Sequence, residues 1–363
     1  MKNWIYAVVL LAATACTPKE SEKIKVYGWE GEGAKTTEQT LQKSFSNLQS
    51  KGLHGICYNA GHSVEKHQRA ARVAKANGLE YQAWIPAMLH GGVDSTLYAV
   101  NRKGESAYNV QAYVSYYKFM CPNREEVYDI LANIYGPVAD IPEVDAVHLD
   151  YIRFVDVILA RGLWKKYDLV MNEEYPTADY CYCDKCVADF KALSGVDIRT
   201  VADPSKNEAW KQFRCDLITK LVNRLADMVH AKGKKITAAV FPGPTAAKKM
   251  VRQEWDKWNL DAVFPMNYND FYLEGPEWLG PIVKEEVAAV DGRMPVYSGL
   301  FICPNPAGKA AQKDPEGHGL IPEELAEAVQ LSMDNGAAGI SLFTPSRMTD
   351  EGWKVFDKVI NKK

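Results

Sequence analysis

The sequence predicts a single (β/α)8 barrel. Short, β-prone apolar segments alternate with amphipathic segments, eight such pairs can be counted, and the roughly 340 residues beyond residue 23 suit one barrel with insertions. Short apolar strands between amphipathic helices require a parallel sheet that is covered on both faces. A doubly wound open sheet is disfavoured, because Gly28, Gly31 and Gly33 do not fit the G-x-G-x-x-G phosphate fingerprint.

The N-terminus has the pattern of an export signal. A charged start at 1–3 precedes an apolar run at 4–15, which is too short for a bilayer span of about 20 residues. The Ala-Thr-Ala-Cys ending at Cys16 resembles the lipobox of bacterial lipoproteins, which implies that Cys16 is lipidated and that 17–23 forms a tether before the barrel domain at 24–363. An ordinary signal peptide with an incidental cysteine is the alternative. Thr17, rather than an aspartate, favours sorting to the outer membrane or cell surface.

The predicted elements follow one another with little interruption. A strand at 25–29 precedes a helix at 36–51, in which Leu41, Phe45 and Leu48 recur at helical spacing. The later strands are predicted at 53–59, 79–88, 144–154, 236–241, 260–267, 295–302 and 338–344. The later helices are predicted at 64–77, 124–138, 210–232, 251–258, 276–290, 323–335 and 350–360. Two stretches without a clear period, 90–120 and 155–205, are predicted to be long loop insertions.

The overall charge and composition narrow the range of partners. The formal net charge is -3 and the sequence has no basic run, so a nucleic-acid partner is not expected. Aromatic residues make up 11% of the chain, which is compatible with sugar stacking as well as with a large core.

Candidate site residues are those at the carboxyl ends of the predicted strands, where barrel enzymes hold their active sites. Their side chains are polar or amphipathic and could contact a substrate. They are Trp29, Glu30, Asn59, His62, Trp84, His90, Asp150, Tyr151, Arg153, Asn267, Tyr268, Asp270 and Ser298.

Asp150 is the most informative of these residues, because it lies in an otherwise apolar strand (HLDYIR). A buried carboxylate is unfavourable unless it is paired, and Arg153 is the expected partner. The pair could be a structural salt bridge, or Asp150 could serve as a nucleophile or stabilise an oxocarbenium-like transition state. Glycoside hydrolysis needs a second carboxyl group, for which Asp270 is preferred over Glu30.

Aromatic and amide side chains near these acids are candidate sugar contacts. Trp29, Trp84 and Tyr151 could act as stacking platforms, although an aromatic residue at strand spacing is often part of the core. Asn267 and Tyr268 could hydrogen-bond a sugar, or could be turn and packing residues.

A cysteine cluster, CYCDKC, lies in the second insertion. Disulfides between Cys181, Cys183 and Cys186 would be strained, whereas four thiolates would close a tetrahedral zinc site. Disulfides, which an exported protein favours, and free thiols are the alternatives. With four Cys ligands no position is open, so such a zinc would be structural, and no cofactor is expected for catalysis. The preferred fourth ligand is Cys121, ahead of Cys57, Cys215 and Cys303.

Several short motifs resemble those of known families. The Cys-Pro-Asn at 121–123, the DYIR segment and the PMNY at 265–268 resemble glycosyl hydrolase-like group 10 proteins over residues 25–345. This resemblance implies a TIM barrel that hydrolyses glycosidic bonds. The CYCDKC segment is similar to the zinc loop of glycoside hydrolase family 42, in which an earlier Cys, here Cys121, completes the site. The Asn-Glu pair of that family is missing at the fourth strand, so activity on β-galactosides is not implied.

Three functions are compatible with the sequence. The first is a glycoside hydrolase that acts on an oligo- or polysaccharide at the bacterial cell surface or in the periplasm. The second is a non-catalytic glycan-binding lipoprotein on the same scaffold. The third, a metal-dependent hydrolase, is disfavoured because none of the seven histidines forms a His-x-His on the first strand.

Overall fold

A computed structural model describes residues 24–303 and 319–361 of the chain. Eight parallel strands form one sheet in the order β6-β5-β4-β3-β2-β1-β8-β7. Parallel bridges between Val263 and Val296, and between Met266 and Gly299, join β6 to β7 and close the sheet into a barrel. The predicted (β/α)8 barrel is therefore confirmed.

The strands and helices alternate along the chain. The strands are β1 (Lys25–Gly31), β2 (Gly55–Asn59), β3 (Glu80–Pro86), β4 (Ala146–Asp150), β5 (Lys235–Val240), β6 (Ala262–Pro265), β7 (Tyr297–Phe301) and β8 (Gly339–Phe343). The helices are α1 (Glu38–Ser50), α2 (Val64–Ala76), α3 (Glu125–Ala139), α4 (Asp184–Ser194), α5 (Glu208–His230), α6 (Pro244–Val251), α7 (Leu279–Val290), α8 (Pro322–Asp334) and α9 (Asp350–Ile360).

Alternating side chains along the strands separate two layers of the core. Tyr27 and Trp29 of β1 point into the barrel, where their rings pack edge-to-face with Phe264 of β6 at centroid distances of 5.3 and 6.2 Å. Val26 belongs to the outer core with Leu41 of α1. Because this alternation is fixed along a strand, the last inward-facing residue of each strand lies at the mouth of the barrel.

One predicted helix is displaced along the chain. The sequence pattern predicts a helix at 251–258, but α6 ends at Val251. Gly243, with φ 62°, and Pro244 in the first turn begin this helix, and Arg252, with φ 60°, ends it. After Arg252, Trp255 lies in a 3-10 turn, Trp255–Lys257, which Trp258 follows.

The two insertions pack against each other over the barrel. The amide of Tyr182 donates to the carbonyl of Val100 at 2.7 Å, and the amide of Arg102 donates to the carbonyl of Asp179 at 3.0 Å. Arg214 of α5 forms a fully buried ion pair with Asp179 and ties the second insertion to the helical layer. This insertion also contains α4, which the sequence pattern does not predict.

The predicted export signal, the tether and Cys16 lie outside the described residues. Among the residues that the structure describes, no helix combines the length and the apolar character needed to cross a membrane.

Candidate active site

A cavity of about 380 Å³ opens at the carboxyl-terminal mouth of the barrel. Its lining includes Trp84 of β3, Asp150 of β4, Phe301 of β7 and Phe343 of β8, together with residues from both insertions. This is the end of the barrel at which (β/α)8 enzymes hold their catalytic residues.

Asp150 is the last residue of β4 and points to the barrel axis. It lies two positions after His148, whose ring packs at 4.6 Å from Trp29 inside the barrel. The Asp150 side chain is buried, yet it reaches the cavity. Its Oδ2 accepts a hydrogen bond from Trp84 Nε1 at 2.9 Å, and its Oδ1 accepts one from the backbone amide of Tyr151 at 2.7 Å. Both carboxyl oxygens are therefore held in fixed positions.

The surroundings of Asp150 favour its protonated form. Burial raises the pKa of Asp150 above its ordinary value, and this effect exceeds the lowering by Trp84, Tyr151 and the charge of Arg153. Tyr151 has φ 49°, in the left-handed region that non-glycine residues rarely adopt. Strained backbone conformations cluster at functional sites, where surrounding contacts hold them in place.

Arg153 pairs with Asp156 rather than with Asp150, which corrects the pairing expected from the sequence. Its Nη1 lies 3.0 Å from Asp156 Oδ2, and its Nη2 donates to the hydroxyl of Tyr117 at 3.2 Å. Tyr113 donates its hydroxyl hydrogen to the same oxygen of Asp156 at 2.5 Å. Asp156 also lines the cavity, so two carboxyl groups with different partners share one pocket.

Aromatic rings form much of the remaining wall. Phe301 and Phe343 stack with 5.8 Å between their centroids, and Tyr268 lies 5.2 Å from Phe301. The wall also includes Tyr113, Tyr116, Tyr117, Leu159, Ala160, Leu163 and Tyr167 from the two insertions. Broad aromatic faces of this kind suit the C–H faces of a sugar ring, and the tyrosine hydroxyls can hydrogen-bond its oxygens.

Five of the residues singled out from the sequence line the cavity: Trp84, Asp150, Tyr151, Arg153 and Tyr268. The two residues proposed as the second acid do not. Glu30 follows the inward-facing Trp29, so its side chain leaves the barrel on the other side, where it accepts a hydrogen bond from the amide of Ser346 at 2.8 Å. Asp270 accepts a hydrogen bond from the amide of Gly319, also at 2.8 Å.

Four further candidates from the first three strands lie outside the cavity lining. Trp29 packs below the cavity, 5.0 Å from the ring of Trp84. Asn59 caps its own turn, with its Oδ1 2.9 Å from the amide two residues later. His62 and His90 stack on each other at 4.8 Å, and burial lowers the pKa of His90 to about 4.

Asn267 and Ser298 face the helical layer, behind the barrel wall. Asn267 Nδ2 donates to Glu286 Oε2 and to Ser298 Oγ, both at 3.1 Å. Ser332 of α8 donates to Ser298 at 2.9 Å, and the amide of Gly243 donates to Glu286 Oε1 at 3.1 Å. Burial raises the pKa of Glu286 to about 8. These five residues form the Glu286 cluster, whose hydrogen bonds join β6 and β7 to α7 and α8.

Sequence reasoning missed most of the residues that line the pocket, and Phe301, Phe343 and Asp156 show the reasons. Phe301 and Phe343 end their strands in register with each other, and strand alternation alone could have placed them at the mouth. Asp156 lies in an irregular insertion, where no periodicity predicts its direction. The only available signal was its position three residues after Arg153.

The four cysteines of the predicted metal site come together. The sulfur atoms of Cys121, Cys181, Cys183 and Cys186 all lie within 4.8 Å of one another, and all four residues are buried. Cys121 Sγ lies 3.5 Å from Cys186 Sγ and 3.7 Å from Cys183 Sγ, too far for a disulfide. A tetrahedral zinc with Zn–S bonds of about 2.3 Å requires sulfur separations of about 3.8 Å, so these side chains fit such an ion.

Known proteins match this chain in fold but not in sequence. No protein-family model matches the sequence, and no curated protein matches it. The family resemblances seen in short motifs therefore stay predictions.

Solved structures do match the fold. The glycoside hydrolase domain of PgaB (BpsB) from Bordetella bronchiseptica has a TM-score of 0.68 and 12% identity, with 94% of this chain and 99% of that chain covered. The catalytic domain of β-amylase from Paenibacillus polymyxa has a TM-score of 0.60 and 9% identity, with 93% and 98% covered. A class V chitinase from Pseudomonas fluorescens Pf-5 has a TM-score of 0.51 and 12% identity, with 93% and 100% covered. At these identities the likeness shows the barrel fold.

Proposed function

We propose that this protein is a glycoside hydrolase and that Asp150 is its general acid. One observation carries the proposal: a buried carboxyl group with a raised pKa lies at the mouth of a barrel, in a cavity lined with aromatic rings. A carboxyl group whose pKa is raised holds its proton to higher pH and can deliver it to a leaving group. The glycoside hydrolase neighbours support the same reaction class.

In the proposed reaction, Asp150 transfers its proton to the glycosidic oxygen while the bond from that oxygen to the anomeric carbon breaks. The leaving sugar departs as an alcohol, and water supplies the new hydroxyl group at the anomeric carbon. Trp84 and the amide of Tyr151 hold the carboxyl group in place during the transfer. Tyr268, Phe301 and Phe343 provide apolar faces for the sugar ring.

The proposed substrate is an oligo- or polysaccharide outside the cytoplasm. The lipobox-like segment ending at Cys16 supports a lipid-anchored location at the outer membrane or cell surface. The anchor would keep the barrel close to glycans of the envelope.

Replacement of the proposed acid tests the function directly. Asp150→Asn should lower kcat on the order of 10³-fold while the melting temperature stays near that of the wild type, because one proton donor is lost. The assay measures new reducing ends from chitin oligosaccharides, malto-oligosaccharides and a panel of 4-nitrophenyl glycosides. Because activated aryl leaving groups need little protonation, Asp150→Asn should slow the hydrolysis of the 4-nitrophenyl glycosides less than that of the oligosaccharides.

Two results would contradict the proposal. Equal turnover by wild type and Asp150→Asn would remove Asp150 from the chemistry. Saturable glycan binding by the wild type without any hydrolysis would favour the alternative, a glycan-binding lipoprotein.

The cysteine cluster supports a separate proposal, a structural zinc ion. Cys121 follows directly after the first insertion and the other three cysteines lie in the second, so a bound ion would hold the end of the first insertion to the second. With four sulfur ligands the ion would have no open position for substrate, and its role would be to stabilise the fold.

A further inference from the structure

We infer that Asp156 is the second catalytic carboxylate and acts as the general base on the attacking water; this inference rests on the proposed glycoside hydrolase function. Asp150 and Asp156 are the carboxyl groups that line the cavity within the described part of the chain. Hydrolysis of a glycosidic bond by two carboxyl groups requires one to be protonated and the other to be ionised.

The surroundings of the two carboxyl groups favour a protonated Asp150 and an ionised Asp156. Asp150 receives hydrogen bonds from the neutral donors Trp84 and the Tyr151 amide, and burial favours its neutral form. Asp156 instead forms an ion pair with the buried guanidinium of Arg153. Pairs of carboxyl groups whose surroundings differ in this way divide the roles of acid and base between them.

The two oxygens of Asp156 differ in their hydrogen bonds. Its Oδ2 accepts hydrogen bonds from Arg153 and Tyr113, whereas its Oδ1 accepts none from the described residues. Only 1% of the residue is exposed. Burial this deep favours contact with a small water molecule over bond formation with a sugar carbon, and therefore a base over a nucleophile.

The complete step balances. Asp150 gives its proton to the leaving oxygen, water attacks the anomeric carbon from the opposite face, and Asp156 takes the proton that the water loses. Afterwards Asp156 releases a proton to solvent and Asp150 takes one up. Attack from the opposite face inverts the anomeric configuration.

The test uses Asp156→Asn, which keeps the shape of the side chain and removes its charge. On the glycan that the wild type hydrolyses, kcat should fall on the order of 10³-fold with little change in KM. Asp156→Ala should regain activity when sodium azide is added, since azide attacks the anomeric carbon without needing a base. The anomer first released by the wild type, followed by NMR, should be inverted.

A matched control separates loss of chemistry from loss of stability. Asp179 is also buried, pairs with a buried arginine (Arg214) and accepts a hydrogen bond from a tyrosine (Tyr182), but it lies outside the cavity lining. Asp179→Asn should therefore lower the melting temperature as Asp156→Asn does, while kcat stays within about threefold of the wild type below that temperature. If Asp156→Asn does not fold, Asp156→Glu keeps the charge and shifts the oxygen, and kcat should fall at least about tenfold.

The outcomes distinguish this inference from the function on which it rests. If Asp156→Asn turns over as fast as the wild type, the role of Asp156 would be overturned and that of Asp150 would stand. Where only Asp156→Glu folds, the same result with that variant would have the same meaning. A retained anomeric configuration would overturn the general-base role. No hydrolysis of any glycan by the wild type would overturn the proposed function, and this inference with it.

Discussion

The mouth of the barrel and the cysteine cluster both gather residues that are distant in the sequence, but they do so in opposite ways. At the mouth, Asp150 and Asp156 are buried carboxyl groups beside a cavity of about 380 Å³. In the cluster, four buried thiols lie within 4.8 Å of one another. A site that binds a substrate keeps open space next to its polar groups. In a site that stabilises the fold, the polar groups face one another.

The two regions are nevertheless connected through the insertions. Tyr117, which receives a hydrogen bond from Arg153, lies four residues before Cys121 in the sequence. The amide of Val100 donates to Cys181 Sγ at 3.3 Å, so the first insertion also contacts the cluster directly. Variants in one region therefore test how far the other region depends on it.

The largest effect is expected from loss of one of the proposed metal ligands. Cys183→Ser should lower the free energy of unfolding on the order of 5 kcal/mol, because structural metal binding contributes directly to folding. Purified wild type, kept under reducing conditions, should contain one zinc per chain, and the variant should contain much less. Elemental analysis and urea unfolding measure the two quantities.

Cys215→Ser is the control for this prediction, because Cys215 is also buried but lies in α5, outside the cluster. It should keep the full zinc content. Less than about half an equivalent of zinc in the wild type would contradict the metal site. Equal unfolding free energies for wild type and Cys183→Ser would contradict its structural role.

The sequence predicts the barrel better than it predicts the site. Strand and helix periods depend on local patterns, which identified all eight strands, whereas α6 was displaced because Gly243 and Arg252 determine its ends through positive φ angles. Asp150 could be found because a carboxylate in an apolar strand is conspicuous. Asp156 could not, since its direction depends on contacts between two irregular insertions.

Glu30 shows what strand alternation could have added. Trp29 has the apolar character of an inward-facing residue, so its neighbour had to face outward. Asn267 and Ser298 show that polar residues near strand ends can also belong to a buried hydrogen-bond network instead of the site. Both belong to the Glu286 cluster behind the wall.

The next largest effect should come from the Glu286 cluster. It tests whether Asn267 and Ser298, which were predicted to belong to the site, stabilise the fold instead. Burial raises the pKa of Glu286 from its ordinary 4.5 to about 8. The protonated form of Glu286 therefore stabilises the fold fully below pH 4.5. This stabilisation is lost progressively as the pH rises from 4.5 through about 8. The unfolding free energy of the wild type relative to Glu286→Gln should fall by several kcal/mol, roughly 4, between pH 5 and pH 9.

Urea unfolding at a series of pH values measures this dependence, with Glu327→Gln on the exposed side of α8 as the control. The control should follow the wild type at every pH. Parallel curves for wild type and Glu286→Gln would show that Glu286 does not titrate differently in the folded and unfolded states. A loss of kcat in Glu286→Gln at pH 5 would connect this cluster to the mouth.

The smallest effect is expected at the mouth itself, from Trp84→Phe. The indole N–H of Trp84 donates to Asp150 Oδ2 and lowers the pKa of Asp150. Without this bond the pKa rises further, so the acid stays protonated to higher pH. The basic limb of the kcat/KM profile should move up by about one pH unit, since a hydrogen bond to a charged group contributes about 1.5 kcal/mol.

Trp255→Phe provides a matched control, because the indole of Trp255 is buried and donates to the carbonyl of Phe241 rather than to a carboxyl group. This variant should lose stability without moving the basic limb. A limb that stays in place in Trp84→Phe would mean that a group other than Asp150 determines it. A limb that moves in both variants would mean that packing, rather than the hydrogen bond from Trp84, determines the pKa of Asp150. The mouth of the barrel would then depend on the packing of the core around it.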